Sequence, residues 1–175
     1  MALTNIDRPA ETEYPVYFGK YIEKVNDGNI LETLSEQLND TLSFFQIIPE
    51  EKETFRYAPE KWSIREVVGH MLDTERVFNY RALRFARNDK TVLHGFEEND
   101  YIRNATFNDY PLSELAEAFA SVRIATLSLF IHMDEAAWLR RGVAFKGEMS
   151  VRAIAWIIAG HELHHRSILH EKYIL

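Results

Sequence analysis

The sequence contains no cysteine, and this absence limits the chemistry that the protein can perform. None of its 175 residues can form a disulfide or donate a thiolate to a metal ion. A bound metal ion would therefore need imidazole nitrogens or oxygens as ligands. A sulfur nucleophile, if the reaction uses one, has to come from another molecule.

An excess of positive charge and a long apolar run are missing as well. The chain has 20 Lys and Arg against 27 Asp and Glu, a net charge of −7, which disfavours nucleic acids and anionic membranes as partners. The longest apolar run, 154–159, is too short to span a membrane. Residues 1–14 lack the apolar segment of a signal peptide. We therefore expect a cytoplasmic protein, and its length fits a single domain over residues 1–175.

Four stretches with apolar residues three and four positions apart predict four long helices. They cover about residues 28–47, 63–88, 113–132 and 150–171. Asp27 and Ser150 are predicted to cap the first and the fourth helix. Ser63 and Glu66 have the spacing of a capping box at the start of the second. A shorter segment, 17–25, predicts one or two helical turns on the outside.

The connection between the second and third helices is long, and its length predicts the topology. Residues 90–112 separate the two helices, whereas most connections in helix bundles have about two to eight residues. Such a connection can cross the full length of the bundle, so that the third helix runs parallel to the second. We predict an all-α four-helix bundle with this crossover. Residues 142–147, before the fourth helix, are predicted to form a small hairpin or a loop.

Two histidines of the fourth helix suggest a metal site. His161 and His165 are four residues apart and follow the apolar run 154–159, so both imidazoles project from one face, the face that a bundle would bury. Two unpaired imidazoles there would cost several kcal/mol of desolvation, which a divalent cation would offset. The alternative is that hydrogen bonds to water or to carboxylates satisfy both rings.

His70 strengthens the metal interpretation because it lies within the second helix, at the edge of its apolar stripe. Three neutral nitrogens from two rigid helices would leave positions open for water or substrate, which is typical of a catalytic site. His164 lies about 100° around the helix from His165 and need not share its target. The other histidines, His94, His132 and His170, are interpreted as surface or capping residues.

The residues 161–165 also match H-E-x-x-H, the zinc-peptidase pattern. In those enzymes the third ligand follows downstream, but only ten residues follow His165, and Ile168 and Glu171 occupy the places of the expected Gly and His. The peptidase interpretation is therefore poor. Glu162 could still act as a base on a bound water or thiol, or be a solvated carboxylate. Asp73 could orient a ligand, although an exposed carboxylate is the better interpretation.

Three segments of the chain resemble the DinB/YfiT-like superfamily of bundle metalloproteins. They are W-S-I-R-E-V-V-G-H-M-L-D-T-E at 62–75, G-F-E-E-N-D at 95–100 and G-H-E-L-H-H-R at 160–166. The resemblance implies a four-helix bundle whose second and third helices are parallel. It also implies a divalent metal ion, zinc or nickel, held by His70, His161 and His165, and a homodimer. Ile168 departs from the family, since relatives with a similar segment often have glutamine there.

The resemblance leads to three functional hypotheses. The first is a metal-dependent S-transferase that joins a low-molecular-weight thiol to a small electrophile. The second is a metal-dependent hydrolase of a small molecule. The third is a non-catalytic, dimeric metal-binding module, for which four aromatic side chains near the start of the chain could form the interface or merely cap the bundle. These are Tyr14, Tyr17, Phe18 and Tyr21.

Overall fold

Helices, four of them long, account for most of residues 6–175, the part of the chain that the computed structural model describes. The helices in chain order are α1 (Gly19–Ile22), α2 (Ile30–Gln46), α3 (Ile64–Ala86), α4 (Glu98–Asn104), α5 (Leu112–Phe130), α6 (Glu135–Leu139) and α7 (Val151–Leu169), with strands β1 (Arg141–Ala144) and β2 (Gly147–Ser150) before α7. The predicted long helices correspond to α2, α3, α5 and α7. Short 3-10 turns lie at Glu11–Glu13, Val16–Phe18, Glu50–Lys52 and Phe107–Asp109, and a π-helical turn, His170–Ile174, extends α7.

The helix caps explain where α3 and α7 begin. The Ser63 hydroxyl accepts from the Glu66 backbone N–H while the Glu66 carboxylate accepts from the Ser63 N–H, so the predicted capping box is confirmed. Ser150 caps α7 as predicted, by accepting from the Ala153 N–H at 3.0 Å.

The prediction that Asp27 caps the first helix was wrong. Asn29 caps α2 and accepts from the Leu31 N–H, whereas Asp27 pairs with Arg8 at 2.6 Å. Gly28, with φ of +151°, turns the chain between Asp27 and Asn29, so that Asn29 is the residue placed at the helix start.

The helices α3 and α5 run parallel, which confirms the predicted crossover. At the start of both helices, Arg65 donates to the Asn108 carbonyl, and Glu53 accepts from both Arg65 and the Leu112 N–H. At the other end, Arg140, which follows α6, donates to the carbonyl of Ala86, the last residue of α3. The long connection carries the chain back along the bundle and contains α4, a helix that the sequence pattern did not predict.

The predicted hairpin is present before α7. Strands β1 and β2 pair antiparallel, with Arg141 opposite Ser150, and Leu93 of the long connection pairs with β1 at Ala144. The ring of Phe145, at the hairpin turn, lies where a Cβ on Gly95 would be, so only glycine fits at that point of the connection. The hairpin and the connection therefore form one continuous wall.

A polar layer crosses the middle of the bundle and divides the apolar core in two. One apolar cluster contains Phe85 of α3 and Trp156 of α7, and the other contains Leu72 of α3 and Leu169 of α7. Between them, each long helix contributes buried polar residues: Gln37 and Thr41, His70, Thr74 and Glu75, Arg123 and Thr126, and His161, Glu162 and His165. The candidate site lies in this layer.

Within residues 6–175, none of the helices has both the length and the apolar character that a membrane span requires.

Candidate metal centre

Three histidines from α3 and α7 meet in the polar layer. The Nε2 atom of His161 lies 3.1 Å from Nε2 of His70 and 3.1 Å from Nε2 of His165. One ring nitrogen from each of the three lies within 4.8 Å of the others. The structure therefore brings together the three side chains that the sequence singled out, although His70 and His161 are 91 residues apart.

The three rings are buried and favour the neutral form. Each side chain belongs to a residue less than 10% exposed. Burial lowers the pKa of His70 to about 4, and it lowers the pKa of His161 and His165 well below 6.5, with repulsion between the rings adding to the effect. At neutral pH the cluster consequently offers uncharged nitrogens, the form in which imidazole binds metal ions.

The spacing of the nitrogens fits one metal ion. Nitrogens bound to a tetrahedral zinc at about 2.0–2.1 Å lie about 3.3 Å from each other. The two measured separations of 3.1 Å are close to that value. In a neutral imidazole the Nε2 atom is either a hydrogen-bond donor or an acceptor, so three Nε2 atoms that face one another cannot all be paired by hydrogen bonds. A shared cation explains their convergence better.

Neighbouring side chains hold the three rings in place. The Trp62 ring lies 4.8 Å from the ring of His70, and the Tyr21 ring lies edge-on to that of His161 at 5.3 Å. Tyr21 can approach because residue 160 is glycine, and a Cβ there would collide with the Tyr21 backbone. Thr74 Oγ1 lies 3.5 Å from Nδ1 of His70, which leaves Nε2 of that ring directed at the cluster.

Glu162 does not face the three rings. Its carboxylate accepts hydrogen bonds from Thr41 of α2 and, at 2.5 Å, from Arg123 of α5. Both oxygens are engaged in the bundle interior, and this placement argues against the predicted role as a base. Asp73 pairs with Arg76 at 3.1 Å, so the interpretation as a surface carboxylate fits, and Thr74 is the residue beside His70.

Arg123 joins all four long helices behind the metal centre. Its fully buried guanidinium forms a bidentate pair with Glu75 of α3 at 2.8 Å, binds Glu162 of α7, and donates to the carbonyl of Leu34 of α2. Burial lowers the pKa of this group, but the attraction of the two carboxylates outweighs it and raises the pKa above its ordinary value. Because Glu162 adjoins His161 in the chain, this network fixes the part of α7 that carries the cluster.

A cavity of about 420 Å³ opens beside the three histidines. Its wall includes Tyr17, Phe96, Phe145 and the buried Arg81 in addition to the cluster. Sequence reasoning placed none of these four residues in the site, and considered Tyr17 only for an interface, since they come from separate segments that only the fold brings together. For Arg81 the sequence did offer one signal, because this charged residue lies on the apolar face of the second predicted helix, where a buried site is expected.

The remaining histidines and aromatic residues divide between surface and pocket. His94, His132 and His170 are exposed, as predicted. His164 is half-buried and lines the cavity, outside the cluster. Of the four aromatic residues considered for an interface, Phe18 and Tyr21 are buried in the apolar core, Tyr14 is half-buried, and Tyr17 is 41% exposed.

The lowered pKa values predict that acid destabilises the metal-free protein. The unfolded chain takes up protons near pH 6.5 whereas folded His70 stays neutral to about pH 4, so stability falls as the pH drops through this interval. For His70 alone the loss between pH 7 and pH 5 is about 2 kcal/mol. Urea unfolding in EDTA at both pH values measures it. The variant His70→Asn should lose less stability between pH 7 and pH 5 than the wild type, and the variant His132→Asn, at an exposed position, should lose as much as the wild type. Equal losses in all three proteins would contradict the prediction.

The fold and the histidine cluster together define the class of protein, which is a four-helix bundle with a crossover and with three histidines that could hold a metal ion. Residues 33–169 match the DinB superfamily, and the chain belongs to that family. This confirms the resemblance found in the sequence. Comparison with functionally curated proteins by sequence gives no match.

Solved structures show the same fold. The chain is similar to YfiT from Bacillus subtilis, described as a probable metal-dependent hydrolase with an unusual four-helix bundle topology, at 15% identity and a TM-score of 0.70 over 96% of this chain and 95% of YfiT. A mycothiol-dependent maleylpyruvate isomerase matches at 10% identity and a TM-score of 0.63, over 79% of this chain but only 58% of the isomerase. A DinB-like protein of Bacillus subtilis, YjoA, matches at 20% identity and a TM-score of 0.57, over 81% of this chain and 86% of YjoA.

Proposed function

We propose that the protein is a divalent-metal-dependent S-transferase in which His70, His161 and His165 bind the metal ion. The observation that carries the proposal is the convergence of three buried, neutral imidazoles at one wall of a cavity large enough for a small molecule. Zinc or nickel suits three imidazole ligands. When bound, such an ion favours the thiolate form of a small thiol at neutral pH.

The residues of the chain supply binding and orientation. Thr74 fixes the ring of His70, and Trp62 and Tyr21 pack against the cluster from two sides. Aromatic side chains of the cavity provide an apolar surface for the electrophile. Because the chain has no cysteine, the thiol is a second substrate, with glutathione and bacillithiol as candidate classes.

The position of Glu162 supports a thiol over water as the nucleophile. A free thiol has a pKa of about 8.5 and free water one of about 15.7, and a bound metal ion lowers both, so the thiol needs the smaller shift to lose its proton at neutral pH. Glu162 is held by Arg123 and Thr41, and the carboxylates that line the cavity, Glu97 and Glu98, are exposed. A hydrolase that relies on a carboxylate base would need one placed closer to the three histidines than these.

Thiol consumption tests the proposal. With zinc or nickel bound, the protein is expected to accelerate the reaction of bacillithiol or glutathione with 1-chloro-2,4-dinitrobenzene. Removal of the metal with EDTA should lower the rate at least about 100-fold, since the thiolate would no longer be favoured in the site. The decisive measurement is the loss of free thiol over time, with exposed His132→Ala as a control that keeps full activity.

Two results would reject the S-transferase proposal. Hydrolysis of small esters or amides without thiol consumption would favour the hydrolase, the activity suggested for YfiT. Stoichiometric metal binding with inertness toward both the thiol and the ester panels would favour a binding module.

We also propose a homodimer in the cytoplasm, without nucleic acid or membrane partners. Exposed apolar side chains of α3, of α5 and of the residue that follows α5 are candidates for the dimer contact; they are Tyr80, Leu83, Ile124 and Ile131, between 39% and 59% exposed. Light scattering coupled to size-exclusion chromatography measures the mass of the assembly directly.

A further inference from the structure

Arg81 is a buried arginine without an acidic partner. It is 4% exposed, and its one hydrogen bond, from Nη2 to the His94 carbonyl, spans 3.2 Å. None of the carboxylates in residues 6–175 lies within 4 Å of its guanidinium. The other buried arginine, Arg123, has two carboxylate partners.

A buried charge without a counter-ion is costly, and Arg81 is oriented to receive one. The guanidinium lines the cavity, and its Cζ atom lies 5.1 Å from the centre of the Phe78 ring and 5.9 Å from that of Phe96. Burial lowers the pKa of Arg81, as expected for a desolvated cation. Two aromatic rings compensate part of this cost, but a carboxylate bound to the planar guanidinium would compensate far more.

Arg81 gives the interior of the cavity a positive charge. Four exposed charges line the same cavity, Lys20 and Lys146 with Glu97 and Glu98, and they cancel. Among the described residues that line the cavity, Arg81 is therefore the one buried positive charge before a metal ion binds, in a chain of net charge −7, and a bound divalent cation would add its charge at the histidines, apart from Arg81.

We propose that the cavity binds a small organic acid, with its carboxylate on Arg81 and its reactive end at the three histidines. This inference rests on the proposed function, since it names the substrate class of the same site. At Arg81 itself, away from the three histidines, one guanidinium matches the single charge of a carboxylate better than the charge of −1.5 to −2 on a phosphate monoester.

The helix geometry sets the minimum length of this ligand. Arg81 and His70 lie eleven residues apart on α3, about 16 Å along the axis, and long side chains of a helix lean toward its start. The guanidinium therefore approaches the cluster but remains separated from it. A ligand that touches both has to carry its carboxylate several bonds away from the reacting group.

Two probes that differ in one group test the proposal by calorimetry. The monohydroxamate of octanedioic acid has a metal-binding hydroxamate at one end and a carboxylate at the other, and its primary amide has the same length without the charge. The zinc-loaded wild type is expected to bind the acid about ten- to hundredfold more tightly than the amide. Arg81→Gln should abolish the preference for the acid over the amide.

Two further variants keep the test sharp. Arg76→Gln removes the same charge from an exposed position of α3 outside the cavity and should retain the full preference. Arg81→Lys keeps the charge but loses the bidentate geometry, so an intermediate preference is expected. Equal binding of both probes by the wild type, a preference that survives Arg81→Gln, or no binding of either probe would overturn the proposal.

The same experiment separates this proposal from the proposed function. Metal content is measured on each sample, and the titrations are repeated in EDTA. A protein that holds metal but shows no preference for the acid retains the metal function and loses the carboxylate site. A protein that holds no metal but keeps an Arg81-dependent preference retains the carboxylate site alone.

Discussion

Replacing His161 with alanine is expected to strip the divalent metal ion from the protein and leave the four-helix bundle folded. His161 is the central residue of the proposed ligand set, because its Nε2 atom lies 3.1 Å from the Nε2 atoms of both other histidines. Two remaining imidazoles, 95 positions apart in the chain, would bind zinc far more weakly. Metal content, measured by elemental analysis after dialysis, should fall from about one ion per chain to less than roughly a tenth of that.

The thermal stability of the same variant provides a second measurement. Zinc at about a thousandfold excess over its dissociation constant stabilises a folded protein by about 4 kcal/mol, equivalent to a rise of roughly 10 °C in Tm for a chain of this size. This rise should be present in the wild type and absent in His161→Ala.

His164→Ala is the matched control, because residue 164 is a half-buried histidine of the same helix outside the cluster. It should retain both the metal and the rise in Tm. Unchanged metal content in His161→Ala would refute the ligand assignment. Loss of helical circular dichroism in that variant would instead show that the metal is structural.

Arg123→Met is expected to cost about 3–5 kcal/mol of the free energy of unfolding. The substitution leaves the carboxylates of Glu75 and Glu162 in the interior without their cation, and it removes the hydrogen bond to the Leu34 carbonyl. The polar layer then loses the one group that contacts all four long helices. Urea unfolding at pH 7 measures the loss, and the metal affinity should fall as well, because Glu162 precedes cluster residue His165 by less than one turn.

The double variant Arg123→Met, Glu75→Gln separates buried charge from lost packing. It should recover part of the stability, since it removes one of the two stranded carboxylates. Arg76→Met, which disrupts an exposed pair with Asp73 on α3, should change the stability by less than about 0.5 kcal/mol. A loss in Arg123→Met no larger than that of Arg76→Met would show that the network contributes nothing.

The helices of the bundle could be predicted because their signals are local. The spacing of apolar residues and the side chains at Ser63 and Ser150 depend on neighbours within one turn. The cap of α2 could not be predicted in the same way. Asp27 and Asn29 are both good caps, and the choice depends on the turn at Gly28 and on the distant Arg8, which binds Asp27.

The three histidines could be predicted from their positions on apolar helix faces, together with the family resemblance. The role of Glu162 could not, because it depends on which side chain lies opposite. Arg123 and Glu75 occupy the buried faces of their helices, and two charged residues at such positions were an available sign of an internal ion network. Read together, they would have placed Glu162 in that network rather than beside the metal.

The cavity wall and the histidine cluster come from different segments of the chain, and this separation affects how the ligand preference of such a protein can change in evolution. The histidines and Arg123 lie in the bundle interior, where side chains from several helices contact one another, so that a single substitution disturbs more than one helix. Tyr17, Phe96 and Phe145 come from the segment before α1, the long connection and the hairpin turn, none of which is part of a long helix. Mutations in these surface segments can therefore change which molecules the cavity accepts while the three-histidine cluster is inherited intact, so that one scaffold can give rise to proteins with unrelated ligands.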